Sequence, residues 1–473
     1  MNLLYHLPMD EASTASKSLA VSSPLQRPST GADLAACVAW ARDRDPWGHR
    51  VHVLAATVGC GLLTIATAPA TIALFGLVGW SIARSWVLWP LWLRLLRHPL
   101  VVLVLAFFVW SALSLTWSAN AAEGLETLRA QRYLLLIPSL VPVLGAVRWL
   151  LLGVLAGVMV QTVAQVLVFC GLVPWSMRGA WSMNGGISKH TGPTGAWAVV
   201  AVGITLSPAL GLVAIGRAGT LVASVVSLIM TASRSGILGL ALFSGLLLVT
   251  VRGRKAWHVR VGVLGAAGAV ALAIGVGQFK GATYVYEGAI YAWRAVTGRS
   301  VRDNSIGIRY VMTKAAWQVG TAKPWTGVGL GAGRIAVLQE PVLQAFLAKT
   351  TNAKFKDWET SGNDLHGGWS ESFAELGVPG FLLFILPVLI ALWYAIRHTR
   401  SRAPPEHAWG PALLAAVLTW LAFGMFNVVY SSGQLEALAM LTLTLAIGAR
   451  ASLFETDTGM HRTNGARQDE AHT

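Results

Sequence analysis

The chain has 473 residues, of which 55% are hydrophobic and 12% charged, with a formal net charge of +15. So little charge in so apolar a chain excludes an ordinary soluble domain and places it among membrane proteins. Much of the basic excess sits in short segments beside apolar runs, where it orients spans and meets anionic lipid rather than nucleic acid. Cys37, Cys60 and Cys170 are scattered, which implies neither a disulfide framework nor a metal cluster.

Residues 1–50 read as a polar, disordered cytoplasmic tail without the apolar core of a cleavable signal peptide. Apolar windows then recur at 51–68, 70–89, 99–116, 133–148, 150–173, 194–214, 218–233, 236–251 and 260–278. After a long polar insert, 279–376, three more follow at 377–396, 409–428 and 434–449, and 450–473 is a second cytoplasmic tail. Windows of about 16 to 24 apolar residues are span-sized, so the sequence predicts an all-α polytopic membrane protein with about twelve transmembrane helices. Tightly joined neighbours are expected to be hairpins.

Basic residues fix the orientation. Arg42, Arg44 and Arg50, then Arg94 and Arg97, Arg148, Arg217, the group from Arg252 to Arg260, and Arg397 to Arg402 all fall on one face if the count is twelve. That face is the cytoplasm, and both termini lie there. The opposite face, the periplasm in a Gram-negative cell, receives the loops 117–132 and 174–193, the Arg234 turn and the 279–376 insert. Long inserts between spans are where function concentrates.

The insert is expected to be partly helical. Ser305 to Ala322 places Ile308, Met312, Ala315, Ala316 and Val319 on one face, and Pro324 with Gly327, Gly329 and Gly331 ends it. Further helices are expected over 335–348 and from 370 into the next span.

Arg234, in Ser233-Arg234-Ser235-Gly236, is either an arginine snorkelling at a turn or a bidentate clamp for phosphate at the outer surface. Arg309 is either solvated or, in the first turn of a helix, part of an anion site. His366, just before re-entry into the membrane, is either a surface histidine or a base, with Asp364 and Glu371 available to orient it. No second His or Cys stands at ligand spacing, so no metal is expected. His190, with Lys189 beside it, is a second outer-face histidine. Arg334 adds to the insert's basic charge, which suits an anionic ligand. Trp317, Trp325, Trp358 and Trp369 either pack the insert or stack on sugar rings or lipid.

These pieces together resemble the bacterial O-antigen ligase family, whose relatives include O-antigen polymerases and protein O-oligosaccharyltransferases. The resemblance rests on Ser233 to Gly236, on Arg309 through Trp317 and Pro324 to Gly331, and on His366 with Glu375-Leu376-Gly377-Val378-Pro379-Gly380. In order and spacing it spans roughly residues 50–450. It departs where many relatives have an Asn after the histidine, here Gly367, and an Asn-bearing motif before the sixth span, here Gly192 to Ala196.

The resemblance implies a GT-C-like inner-membrane glycosyltransferase with its site facing the periplasm. The donor would be a glycan on undecaprenyl pyrophosphate and the acceptor a sugar hydroxyl of lipid A–core. Arg234 and Arg309 would hold the pyrophosphate and His366 would take the acceptor proton. Arg334, Lys189, His190 and Trp369 are further substrate-binding candidates, and no cofactor is implied. A polymerase or a protein oligosaccharyltransferase with the same donor is the alternative. A lipid-linked glycan transporter is disfavoured, because charges within the apolar runs are few, Arg84 being the main one.

Overall fold

The computed structural model describes residues 33–173, 184–188, 190–251, 256–275, 297, 305–350, 367–401, 406–426 and 433–454. These are helical almost throughout, and no strand occurs among them. The first helices are α1 (Leu34–Arg44), α2 (Pro46–Ile65), α3 (Thr67–Ala83), α4 (Ser85–Leu95), α5 (Pro99–Ser114) and α6 (Ala121–Ala130). Next come α7 (Leu136–Leu140), α8 (Val147–Phe169), α9 (Thr191–Thr205), α10 (Ala214–Thr231), α11 (Arg234–Thr250) and α12 (Ala256–Gly275). In the insert lie α13 (Ser305–Ala322), α14 (Gly333–Leu338) and α15 (Pro341–Lys349), followed by α16 (Gly368–Arg400), α17 (Glu406–Phe426) and α18 (Gly433–Arg450).

Among the described residues, three helical stretches are long and apolar enough to cross a membrane: Ala121–Phe169, Ala214–Thr231 and Gly368–Arg400. Helices α3 and α4 reach that length only as a pair, bent by 106°. Shorter apolar helices include Pro99–Ser114, Arg234–Thr250, Arg260–Ala271 and Trp409–Met425. No loop separates the expected spans 133–148 and 150–173. The backbone stays helical, tightening to 3-10 turns at Gln131–Leu135 and Val141–Ala146 around Pro138 and Pro142.

Small residues let the helices approach. Gly61 on α2 faces Gly153 and Gly157 on α8, where any Cβ would collide with the opposite backbone. Arg84 explains the bend after α3. It is 3% exposed, its Nε donates to Asp45 Oδ2 at 2.7 Å, and its Nη1 meets His52 Nδ1 at 3.0 Å. A guanidinium only donates, so His52 Nδ1 accepts and the ring hydrogen is on Nε2, 3.4 Å from Ser81 Oγ. The charge that interrupts an apolar window is therefore neutralised from α2's N-cap, and the chain turns at it. Removing one partner of a buried pair typically costs about 3–5 kcal/mol. Arg84→Met should lower stability by that order, and Arg84→Met/Asp45→Asn should recover much of it, read as unfolding midpoints in detergent. An unchanged midpoint in the single variant would show the pair to be dispensable.

The expected helix over 305–322 is present. Its apolar face, Ile308, Met312, Ala315, Ala316 and Val319, packs with Val337, Leu343, Leu347 and Ala374 into a small core separate from that of the main helical body. The helix expected over 335–348 is two, α14 and α15, because Pro341 cannot continue α14 and instead starts α15. Helix α16 begins at Gly368 and is kinked at Gly377, whose φ of 66° and ψ of −166° interrupt it.

Candidate active site

Arg234 owes its position to a cap. Helix α10 ends at Ala232 in the left-handed region (φ 47°), and Ser233 caps α11, its Oγ accepting from Gly236 N at 3.2 Å. Arg234 is then the first residue of α11 and half-buried. The first turns of α9 lie against this cap, since a Cβ on Gly195 would stand 2.6 Å from Ser233 Cβ. His190 caps the same end of α9 and its side chain is exposed.

Arg309 lies in the second turn of α13, half-buried. Burial lowers its pKa from the ordinary arginine value, and the positive charge of Arg234 lowers it further. The two guanidiniums are therefore near enough to repel through a poorly solvated space, although arginine stays charged at neutral pH.

Helix α13 and the first turns of α16 run side by side in the same direction: Thr313 lies by Gly367, Gly320 by Phe373, and Gly327 by Glu375. A Cβ on Gly367 would be 3.8 Å from Thr313 Oγ1 and 3.6 Å from the Met425 carbonyl. Thr313 is one helical turn from Arg309, a rise of about 5–6 Å. The residue that follows His366 in sequence thus lies against α13, one helical turn from Arg309. His366 and Asp364 themselves lie outside the described residues, as do Lys189 and Trp358. Glu371, one turn into α16, has Oε2 sealed from solvent. Trp369 is half-buried, with its indole nitrogen over Gly424 of α17.

Arg334 lies farther along the insert. It follows Gly333, which packs on Glu375, and eight residues of α16 separate Glu375 from Gly367, about 12 Å. Trp317 packs on Phe373, with ring centroids 4.6 Å apart, and serves the contact between α13 and α16. Trp325 is exposed.

The glycine run is a clamp built on Glu375, a residue that reading the sequence quoted without a role. Glu375 is 6% exposed, and its Oε1 accepts from Gly331 N and Gly333 N, each at 3.0 Å. Its own carbonyl accepts from Gly329 N at 2.8 Å, and Val378 N donates to the Pro324 carbonyl at 2.7 Å. Gly327, Gly329 and Gly331 have φ of 63°, 90° and 83°. Trp110 Nε1 and Trp117 Nε1 donate to the carbonyls of Leu376 and Thr326, at 3.0 and 3.2 Å. Every amide here is used within the chain, so the run holds no anion; it fastens the insert to α16 and to the end of α5. Glycines at alternate positions, 327, 329 and 331, were the visible signal of that close approach.

Residues 219–385 match the family model described as O-antigen ligase. The chain carries an O-antigen ligase family domain. This domain runs from α10 into α16 and takes in Arg234, Arg309, the glycine clamp and His366. The match is narrower than the resemblance over residues 50–450 and leaves α1 to α9 outside it. No curated protein matches the chain. Among the described residues, no three His, Cys, Asp or Glu side chains form a group that would hold a metal ion.

Proposed function

We propose that this protein transfers an O-antigen glycan from undecaprenyl pyrophosphate to a sugar hydroxyl of lipid A–core, inverting the anomeric carbon and completing lipopolysaccharide. The reading that carries this proposal is the coupling of Arg234 and Arg309 at the end of α13 where α16 begins. Two buried-side guanidiniums that repel one another form a site that a pyrophosphate would neutralise, and donors aimed at a leaving group's charge stabilise the transition state. His366, next in sequence to Gly367, takes the proton from the acceptor hydroxyl as that oxygen attacks the anomeric carbon. The bond from that carbon to the pyrophosphate breaks, and the electron pair leaves with the phosphate held by the arginines. Arg334, Lys189, His190 and Trp369 are assigned to the surrounding donor and acceptor surfaces. The reaction needs no metal and no cofactor.

The same reading sets the protein in the bacterial inner membrane as a twelve-span, GT-C-like enzyme, its site facing the periplasm and both termini in the cytoplasm. A reconstituted assay tests it. Purified protein is mixed with undecaprenyl-pyrophosphate-linked glycan and lipid A–core, and product is read as a gel mobility shift. His366→Ala should lose about 10²–10⁴-fold in rate while still binding donor. A fully active variant removes His366 from the mechanism, and activity lost on chelation and restored by a divalent ion refutes the metal-free step. Product formed only with a second donor glycan or a Ser/Thr peptide would instead favour the polymerase or the protein oligosaccharyltransferase.

A further inference from the structure

Past its kink at Gly377, α16 carries an exposed apolar stripe. Leu382, Leu386, Leu389 and Trp393 recur every three or four residues and therefore share one face. Val109 and Leu113 extend that face on α5, which packs alongside. Side chains of this kind meet acyl chains where a helix crosses a bilayer. The length fits as well: Gly377 to Arg397 is 20 residues of helix, about 30 Å, the thickness of a hydrocarbon core.

One end of the stripe is closed by Arg397, whose guanidinium lies 5.6 Å from the centre of the Trp393 ring. The other end is closed by the insert. Val378 N donates to the Pro324 carbonyl at 2.7 Å, which holds Lys323 and Trp325 level with the start of the stripe. Trp317 reaches the same level, its ring centre 6.0 Å from that of Phe381. Trp325 is 71% exposed and Trp317 43%. Lys314, one turn before Trp317 on the same face of α13, and Lys323 are exposed too. From Ser305 to Gln339 the basic residues are Arg309, Lys314, Lys323 and Arg334, and no acidic residue occurs. Indole rings settle at head-group level and basic side chains meet anionic lipid phosphate. A glycan would account for exposed indoles, but not for their alignment with the end of a lipid-facing stripe.

We propose that the insert sits on the membrane surface along this edge, with Trp317 and Trp325 at the head-group boundary and Lys314 and Lys323 pairing with the phosphates of anionic phospholipid. This contact requires α16 to cross the bilayer and is independent of the transfer reaction. Arg309 is eight residues of helix from Trp317, about 12 Å, so the same contact sets how far the arginine pair stands from the lipid.

Photocross-linking tests this with the full chain reconstituted in vesicles of equal parts phosphatidylglycerol and phosphatidylethanolamine. Trp325→p-benzoylphenylalanine keeps an aromatic ring and captures what lies against it, and mass spectrometry identifies the adduct. Lipid adducts are expected, enriched in phosphatidylglycerol. Two lysines at about fivefold each give an enrichment of roughly 25-fold, which Lys314→Gln/Lys323→Gln in the same background should abolish. Melting curves establish folding. Thr321→p-benzoylphenylalanine, one turn past Trp317 on the exposed face, repeats the measurement at a second position. Absence of lipid adducts at both positions, adducts in the vesicle ratio, an enrichment that survives loss of both lysines, or capture of a second copy of the chain would each overturn the assignment. No transfer is read, so failure of the glycan-transfer assay leaves this result standing.

Discussion

Arg309→Lys is expected to lower glycan transfer by about 10²–10³-fold, the range seen when one donor to a developing anion is lost. The change keeps the charge, so a site that needed only a cation near the pyrophosphate would tolerate it. What lysine lacks is the planar fork that binds two oxygens at once. The environment sharpens the difference. Arg309 is held beside another arginine in a place where burial already disfavours its charge, so the ligand-free protein keeps two like charges together at some cost to its stability. An anion offsets that cost on binding. Inorganic pyrophosphate should therefore raise the unfolding midpoint of the wild type, and Arg309→Lys should lose most of that rise. Wild-type stabilisation and wild-type donor affinity in the lysine variant would count against the clamp.

Gly327→Val is expected to undo the docking of the insert, at about 3–5 kcal/mol, the size reserved for backbone strain and steric overlap. Position 327 has φ of 63°, and a Cβ there would overlap the Glu375 carbonyl. Neither atom belongs to a side chain that can swing away. The variant should show a lowered midpoint and faster tryptic cleavage after Arg334, within the fastened stretch. Gly219→Ala is the contrast. It lies inside α10, where a Cβ meets nothing within 4 Å, and should be neutral or stabilising by roughly 0.5–1 kcal/mol. Identical digestion of Gly327→Val and wild type would show that the clamp does not hold the insert.

Local patterns carried much of the fold into view before any coordinates. The face Ile308, Met312, Ala315, Ala316 and Val319 announced α13, and Pro324 its end, because both signals are contained within a few turns. The bend at Arg84 was hidden for the opposite reason. Its partner Asp45 is 39 positions away in sequence, and an apolar window with one charge reads the same whether that charge is paired or not. Glu375 was hidden likewise, since its partners are backbone amides of Gly331 and Gly333, which no side-chain pattern records. At the site, Arg234 and Arg309 each stood out singly as anion candidates. Their proximity joins positions 75 residues apart in sequence, and only the structure puts one within the field of the other.

The origin of those two arginines has a consequence of its own. Arg234 opens α11 of the helical body, whereas Arg309 belongs to the insert, which has a small core of its own. An anion seated between them is a cross-link over a seam. Either half alone offers a single guanidinium; with both in place the second contact becomes intramolecular, and binding strengthens without any new group being added. Cargo and scaffold thereby stabilise each other: a chain whose insert has not seated should hold pyrophosphate poorly, and a chain holding pyrophosphate should be slow to unseat.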